Sequence, residues 1–170
     1  MFIDQATIFV KAGNGGNGVV SFRREKFIPK GGPDGGNGGR GGSVILRADR
    51  QLTTLMDFRY KRNYAAGNGN NGEGANRTGR SADDIVIRVP LGTVIRDAES
   101  GDLCVDLVKD GEEIVIVQGG KGGKGNAEFA TSTHQAPRTA TPGIPGEEKT
   151  IQLELKLIAD VGLVGFPNAG

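Results

Sequence analysis

Hydrophobic and polar residues alternate most cleanly over residues 149–157. Ile151, Leu153, Leu155 and Leu157 fall on one face, and Thr150, Gln152, Glu154 and Lys156 on the other. That two-residue period predicts a half-buried β-strand. Shorter apolar runs predict strands at 6–11, 18–23 and 43–48, the last reading SVILRA. Further runs at 85–89, 93–97, 103–107 and 113–117 are punctuated by Glu99-Ser100-Gly101-Asp102 and Lys109-Asp110-Gly111, which carry turn chemistry. This succession predicts a meander and, from it, a small antiparallel sandwich or barrel. Leu52, Leu55 and Met56 suit a single helical turn, with Arg59, Lys61 and Arg62 after it. Residues 67–81 and 126–147 show no apolar period and read as loops, the second long enough to expect a function. Residues 159–164 are almost continuously small and apolar, as in a strand buried on both faces.

Between these runs lies a different rhythm. In residues 30–42, KGGPDGGNGGRGG, Gly32, Gly35, Gly38 and Gly41 recur every third position, and Gly36, Gly39 and Gly42 repeat the beat one step out of phase. A three-residue period matches neither helix nor strand, but it is that of polyproline II, which has no internal hydrogen bonds. The beat returns in Gly13–Gly16 and Gly15–Gly18, in Gly119, Gly122 and Gly125 with Gly120 and Gly123, and more weakly in Gly69 and Gly72. Flexible linkers are the plain alternative. In-phase glycines separated by strand-like runs favour packing instead, as a bundle of extended segments close enough for backbone contact. Collagen is excluded, because each run is short and only 7 of 170 residues are proline.

Composition narrows the chemistry. With 36% hydrophobic residues and no Trp, the core must be aliphatic. One histidine and one cysteine, Cys104, exclude a common zinc site and an intrachain disulfide. No Ser/His/Asp constellation stands out, and no apolar run is long enough for a membrane span. The formal net charge of +1 conceals polarity: residues 1–80 hold 13 Lys+Arg against 6 Asp+Glu, and residues 81–170 hold 8 against 14. Such a molecule can turn a basic face to nucleic acid. Arg23, Arg24, Lys26 and Lys30 form one basic loop, Arg77 and Arg80 lie in a second, and His134 and Arg138 in a third. A disordered RGG-type binder is disfavoured, because Arg40-Gly41-Gly42 is the single such triplet and aromatic residues are not interleaved with it.

The 159–164 run feeds directly into Gly165-Phe166-Pro167-Asn168-Ala169-Gly170. Gly, four residues, Gly after a predicted strand is the front of a phosphate-binding loop, G-x-x-x-x-G-K-[ST]. The Lys and Ser/Thr that reach the phosphates and Mg²⁺ would come next. The expectation is therefore a chain cut inside a nucleotide-binding loop, with no catalysis of its own.

FRREKFIPKGGPDGG (22–36), RVPLGT (88–93), GGKGGKGN (119–126) and LKLIADVGLVGFPNAG (155–170) together resemble the Obg family of P-loop GTPases. The resemblance runs the length of the chain in the family's order. It implies an N-terminal Obg domain over 1–158, with polyproline II helices packed on a small β-barrel, and the first strand and truncated P-loop of a GTP-binding domain over 159–170. It further implies a cytoplasmic, monomeric GTPase whose full-length form binds GTP or GDP and Mg²⁺. Such a protein would associate with the large ribosomal subunit and its rRNA, and act in subunit maturation and in stress and cell-cycle control, including through (p)ppGpp and stress-signalling proteins. The positions that match the family's RNA-facing loops are Lys26, Lys30, Arg77, Arg80, His134 and Arg138. The competing expectation is a protein-interaction scaffold that recruits regulatory partners to the GTPase.

Overall fold

The computed structural model describes residues 5–27 and 31–156. Lys30, Leu157 and the strand and phosphate-loop expectations at 159–170 lie outside them. The strands are β1 (Gln5–Lys11), β2 (Val44–Ala48), β3 (Asn63–Ala65), β4 (Ile85–Val89), β5 (Thr93–Asp97), β6 (Leu103–Leu107), β7 (Glu113–Val117) and β8 (Glu148–Leu155), with one short helix, α1 (Asp57–Tyr60). They form a five-stranded sheet in the order β3-β1-β8-β5-β6 and a three-stranded sheet in the order β4-β2-β7.

One aliphatic core joins the two sheets. Ile8 and Val10 of β1, Val44 and Leu46 of β2, Val89, Ile95, Leu107, Val117, and Ile151 and Leu153 of β8 all belong to it and are buried. The alternation read in β8 is thus a true core face, with Ile151 and Leu153 fully covered. The helical turn expected on Leu52, Leu55 and Met56 does not form there; the helix falls just after it as α1, and its Phe58 is buried against the same core.

The fold is mainly β, as expected, but the barrel takes the form of two open sheets and the meander is not formed. Among the described residues only β5 and β6 make a sequential antiparallel pair; β4 lies parallel to β2 and β7 antiparallel to it. β1 also runs parallel to β3 and antiparallel to β8. The 18–23 strand is absent as well.

The glycine-rich chain explains these directions. Six extended segments, residues 12–20, 34–42, 66–73, 76–84, 118–126 and 138–147, are numbered I to VI in chain order. β1 leads out along I and the chain returns along II to β2. β3 leads out along III and returns along IV to β4; β7 leads out along V and returns along VI to β8. Strands that feed the bundle run one way and strands that receive from it run the other, so β1 and β3 are parallel, as are β2 and β4. Each excursion also starts in one sheet and ends in the other, which ties the sheets together.

Backbone hydrogen bonds recur at the three-residue step. Gly13 and Gly16 donate to the carbonyls of Gly42 and Gly39 at 2.8 Å, joining I to II antiparallel. Gly36, Gly39 and Gly42 donate to Glu73, Asn70 and Gly67, joining II to III, and Gly38 and Gly41 donate to Gly123 and Gly120, joining II to V. Segment IV donates to II through Gly79 and Ala82, and VI bonds both I and V. Segments I and II therefore lie at the centre of the bundle. The expected polyproline-type bundle forms, and it includes two segments, IV and VI, that the sequence suggested were loops.

Glycine is required here for space rather than for an unusual φ. Among the described residues the positive-φ glycines are Gly92, Gly101 and Gly111, all in turns between strands. A Cβ on Gly35, Gly38 or Gly41 would instead overlap the carbonyls of Val19, Gly16 and Gly13, and one on Gly119, Gly122 or Gly125 would overlap those of Gly41, Gly38 and Gly35. The second phase, Gly36, Gly39 and Gly42, meets the carbonyls of Arg77, Arg80 and Asp83 in segment IV. Gly32 is the exception: a Cβ there would stand in open space, so this glycine lies outside the packed register.

Asparagines fill the third face. Asn14 and Asn17 receive the N–H groups of Gly146 and Gly143, and Asn68 and Asn71 receive those of Asn14 and Asn17. Their short amides satisfy backbone donors that extended segments leave unpaired.

Candidate nucleic-acid interface

The bundle places three tips at the end remote from the sheets. At ~3.1 Å per residue, segment I alone carries the chain roughly 28 Å outward. The described residues of the tips are 20–27 with 31–34, 73–77 and 127–138.

The first tip closes on itself. Arg23 N–H donates to Gly32 at 2.9 Å, Asp34 N–H donates to Ser21 at 2.9 Å, and Phe22 bridges Pro33. The second is a two-residue turn in which Ala75 (φ 62°) and Asn76 (φ 57°) are both left-handed, the geometry of a type I′ turn. Asp34 holds it, taking Ala75 N–H on its carboxylate at 3.1 Å and Asn76 N–H on its carbonyl at 2.7 Å. The third tip begins with a 3₁₀ turn, Asn126–Phe129, and continues in a turn between Thr131 and His134.

Asn126 joins the first and third tips. Its fully buried amide oxygen receives N–H groups from Ser21 at 3.2 Å and Gly35 at 2.9 Å. Its amide nitrogen donates to the carbonyls of Ser21 at 3.0 Å and Pro137 at 2.9 Å. The amide is thus satisfied at four points, and the first tip is fixed to the other two.

These contacts gather most of the sequence-predicted residues. Lys26 is exposed, with Nζ 5.5 Å from the Phe27 ring centroid. Arg77 is exposed beside the second turn, donating to the Gly74 carbonyl at 3.1 Å and pairing with Glu73 at 3.2 Å. His134 is exposed in the third tip, and Arg138 lays its guanidinium 5.1 Å from the ring centroid of Phe22 in the first. Arg80 stands one three-residue step back from the end, at an open cleft of about 280 Å³ with Asn68, Asn70 and Asp83. It therefore flanks the tips rather than belonging to them.

The sequence reading missed the two phenylalanines. Phe22 is a platform for Arg138, and Phe27 is exposed on the basic loop. Lys121 and Lys124 were also missed; they project one step apart from the exposed face of segment V. The three-residue period was the signal that could have found them, since any residue off the two glycine phases must face outward.

Charge on the first tip is only partly neutralised. Arg23 pairs with Glu25 at 3.0 Å, whereas among the described residues no ion pair engages Arg24, Lys26 or Arg138. A second cleft, about 360 Å³, lies far from this end, between β3, β4 and α1. There burial, with Asp57 nearby, pushes the Tyr64 phenol up, and Lys61 Nζ sits 4.8 Å from its ring centroid. The cleft's other cation, Arg88, is paired with Asp49 at 3.1 Å.

The GTP1/OBG family model matches residues 3–157. The chain belongs to that family. It is 63% identical over 169 residues to GTPase Obg of Chlorobaculum parvum, covering 99% of this chain and 50% of the relative. GTPase Obg of Persephonella marina is 61% identical over 169 residues, with 99% and 50% covered. The protein of the same name from Moorella thermoacetica is 61% identical over 170 residues, with 100% and 40% covered. The chain thus spans about half the length of the curated relatives it matches. The glycine-segment bundle and its two sheets are this GTP1/OBG member's version of the matched region. Among its described residues no helix is long and apolar enough to cross a membrane.

Proposed function

We propose that residues 1–158 form the ribosome-docking domain of a cytoplasmic GTPase, with the three tips set against folded RNA of the large subunit. The observation that carries this reading is the convergence of Lys26, Arg77, His134 and Arg138, from three separate excursions of the chain, at one end of the bundle. Arg and Lys contacts to phosphate dominate affinity for nucleic acid and make it salt-dependent. Folded RNA is recognised largely by its shape and sugar–phosphate surface, which suits a fixed basic prow. Lys30 belongs to the same basic loop by sequence.

Residues 159–170 would open the GTP-binding domain. Gly165, Phe166, Pro167, Asn168, Ala169 and Gly170 would supply the backbone of its phosphate loop in the whole protein, which would hold GTP or GDP and Mg²⁺. Roles in subunit maturation and in stress and cell-cycle control, with response to (p)ppGpp, follow the same proposal.

Co-sedimentation with large ribosomal subunits across a salt series tests the docking. Binding should weaken steeply between about 50 and 200 mM salt. A Lys26→Glu/Arg77→Glu/Arg138→Glu variant, checked as folded by circular dichroism, should lose binding and flatten the log–log salt slope by roughly 2–3. Equal binding by parent and variant would overturn the assignment of the tips. Binding insensitive to both salt and nuclease would favour a protein-interaction scaffold.

A further inference from the structure

Phe27 has the largest exposure among the described large apolar side chains. The residue is 86% exposed; Tyr60, at 83%, approaches it, and Tyr60 is in α1 beside the sheets. A single exposed apolar residue is ordinary on a protein surface, so what marks Phe27 is its setting in a basic loop at the outer end of the bundle. Its surroundings indicate which kind. The loop that carries it also carries Arg23, Arg24 and Lys26, and Lys26 Nζ stands 5.5 Å from the ring centroid. Elsewhere in this tip the Arg138 guanidinium lies over Phe22, so the two aromatic rings differ: Phe22 holds a cation from another tip, and Phe27 holds only its chain neighbour Lys26.

We propose that Phe27 is a stacking platform for an unpaired nucleobase, with Arg24, Lys26 and Arg138 taking the phosphates on either side. The proposal rests on the RNA-docking reading above and specifies its ligand as an unstacked, single-stranded segment. Aromatic rings accept any base through its π face, and flanking cations track the backbone. The exposed Lys26–Phe27 contact is weak enough to exchange for a phosphate contact when a base arrives. Among the described residues of this tip, the exposed cations Arg23, Arg24 and Lys26 outweigh the one further exposed large apolar side chain, Val20, and that balance favours RNA over an apolar protein surface.

The chain has no tryptophan, so Phe27→Trp installs a single reporter at the site. Titrating the folded variant at low salt with short oligoadenylate should quench its fluorescence; inorganic polyphosphate, which has charge and no bases, should bind without quenching. Phe27→Ala should weaken oligoadenylate binding roughly 5- to 100-fold while leaving polyphosphate binding and the salt slope unchanged. Phe27→Leu, which keeps apolar surface and loses the π face, should behave like the alanine variant.

If the parent binds both probes and Phe27→Ala binds oligoadenylate equally well, stacking is overturned and docking by charge stands. If Phe27→Leu retains parental affinity while Phe27→Ala does not, the contact is apolar burial and stacking is again overturned. If the parent binds neither probe, the docking reading fails and stacking fails with it.

Discussion

In the sheets the buried positions are side chains: Ile8, Leu46, Leu107, Ile151 and Leu153 fill a common core while their backbones pair across strands. In the bundle the buried positions are the absence of side chains. Gly16, Gly38 and Gly122 bring carbonyls and N–H groups of segments I, II, III and V into direct contact, and hydrogen bonds every third residue replace the apolar core. A β core removes apolar surface from water and tolerates similar shapes, whereas a glycine bundle allows no added carbon at all. The second arrangement suits a long, thin projection: the glycine-rich segments are covered on their two glycine faces by neighbouring backbone and leave the third for polar chemistry. That third face carries Asn14, Asn17, Asn68 and Asn71 as internal caps and Arg77, Arg80, Lys121 and Lys124 as exposed cations.

The difference predicts unequal responses to substitution. Gly38→Ala should be the most damaging, because its methyl would enter the Gly16 carbonyl and the backbones cannot separate without breaking the register. A loss of at least ~3 kcal/mol is expected in urea unfolding, against less than about 0.5 kcal/mol for Gly32→Ala, whose Cβ meets nothing. Similar stability for the two variants would remove the basis of the comparison.

Leu46→Ala should cost ~2–5 kcal/mol, the usual range for a cavity in an aliphatic core. Docking by the protein that remains folded should be preserved. Asn126→Ala strands the N–H groups of Ser21 and Gly35 and should cost about 2–3 kcal/mol. It should also loosen the tips, read as weaker large-subunit binding even where the sheets remain folded by circular dichroism. Ala75→Gly is the smallest effect and has the opposite sign. Relieving a left-handed alanine in the type I′ turn should stabilise by up to about 1 kcal/mol in thermal unfolding.

The same contrast separates what could be read in the chain from what could not. β8 was plain because Ile151 and Leu153 alternate with polar residues, and the glycine segments were plain because a period of three has few structural uses. Segment IV reads as a loop because its partners supply the close approach: Gly36 and Gly39 give the space beside Arg77 and Arg80, so it needs little glycine of its own; segment VI has just two glycines in step, Gly143 and Gly146, set against the carbonyls of Gly15 and Gly13. The 18–23 run looked like a strand because Val19, Val20 and Phe22 are strand formers, yet Val19 bonds Gly36 in the bundle register. The parallel pairs β1–β3 and β2–β4 follow from which strands feed the bundle, a fact of connection that no local pattern encodes. Likewise, charge located Lys26, Arg77 and Arg138, but their approach depends on Asn126 and Asp34, which bridge tips far apart in sequence.

The claim that these glycines form a packed bundle is tested most directly by residue-resolved amide hydrogen exchange. Gly13, Gly16, Gly38, Gly39, Gly41, Gly42, Gly120 and Gly123 all donate to backbone carbonyls of other segments. Their amides should be protected to a degree approaching that of Ile151 and Leu153 in β8, as expected for parts that open only in a cooperative event. Exchange at free-peptide rates for these glycines, beside a protected β8, would show flexible linkers and contradict the bundle.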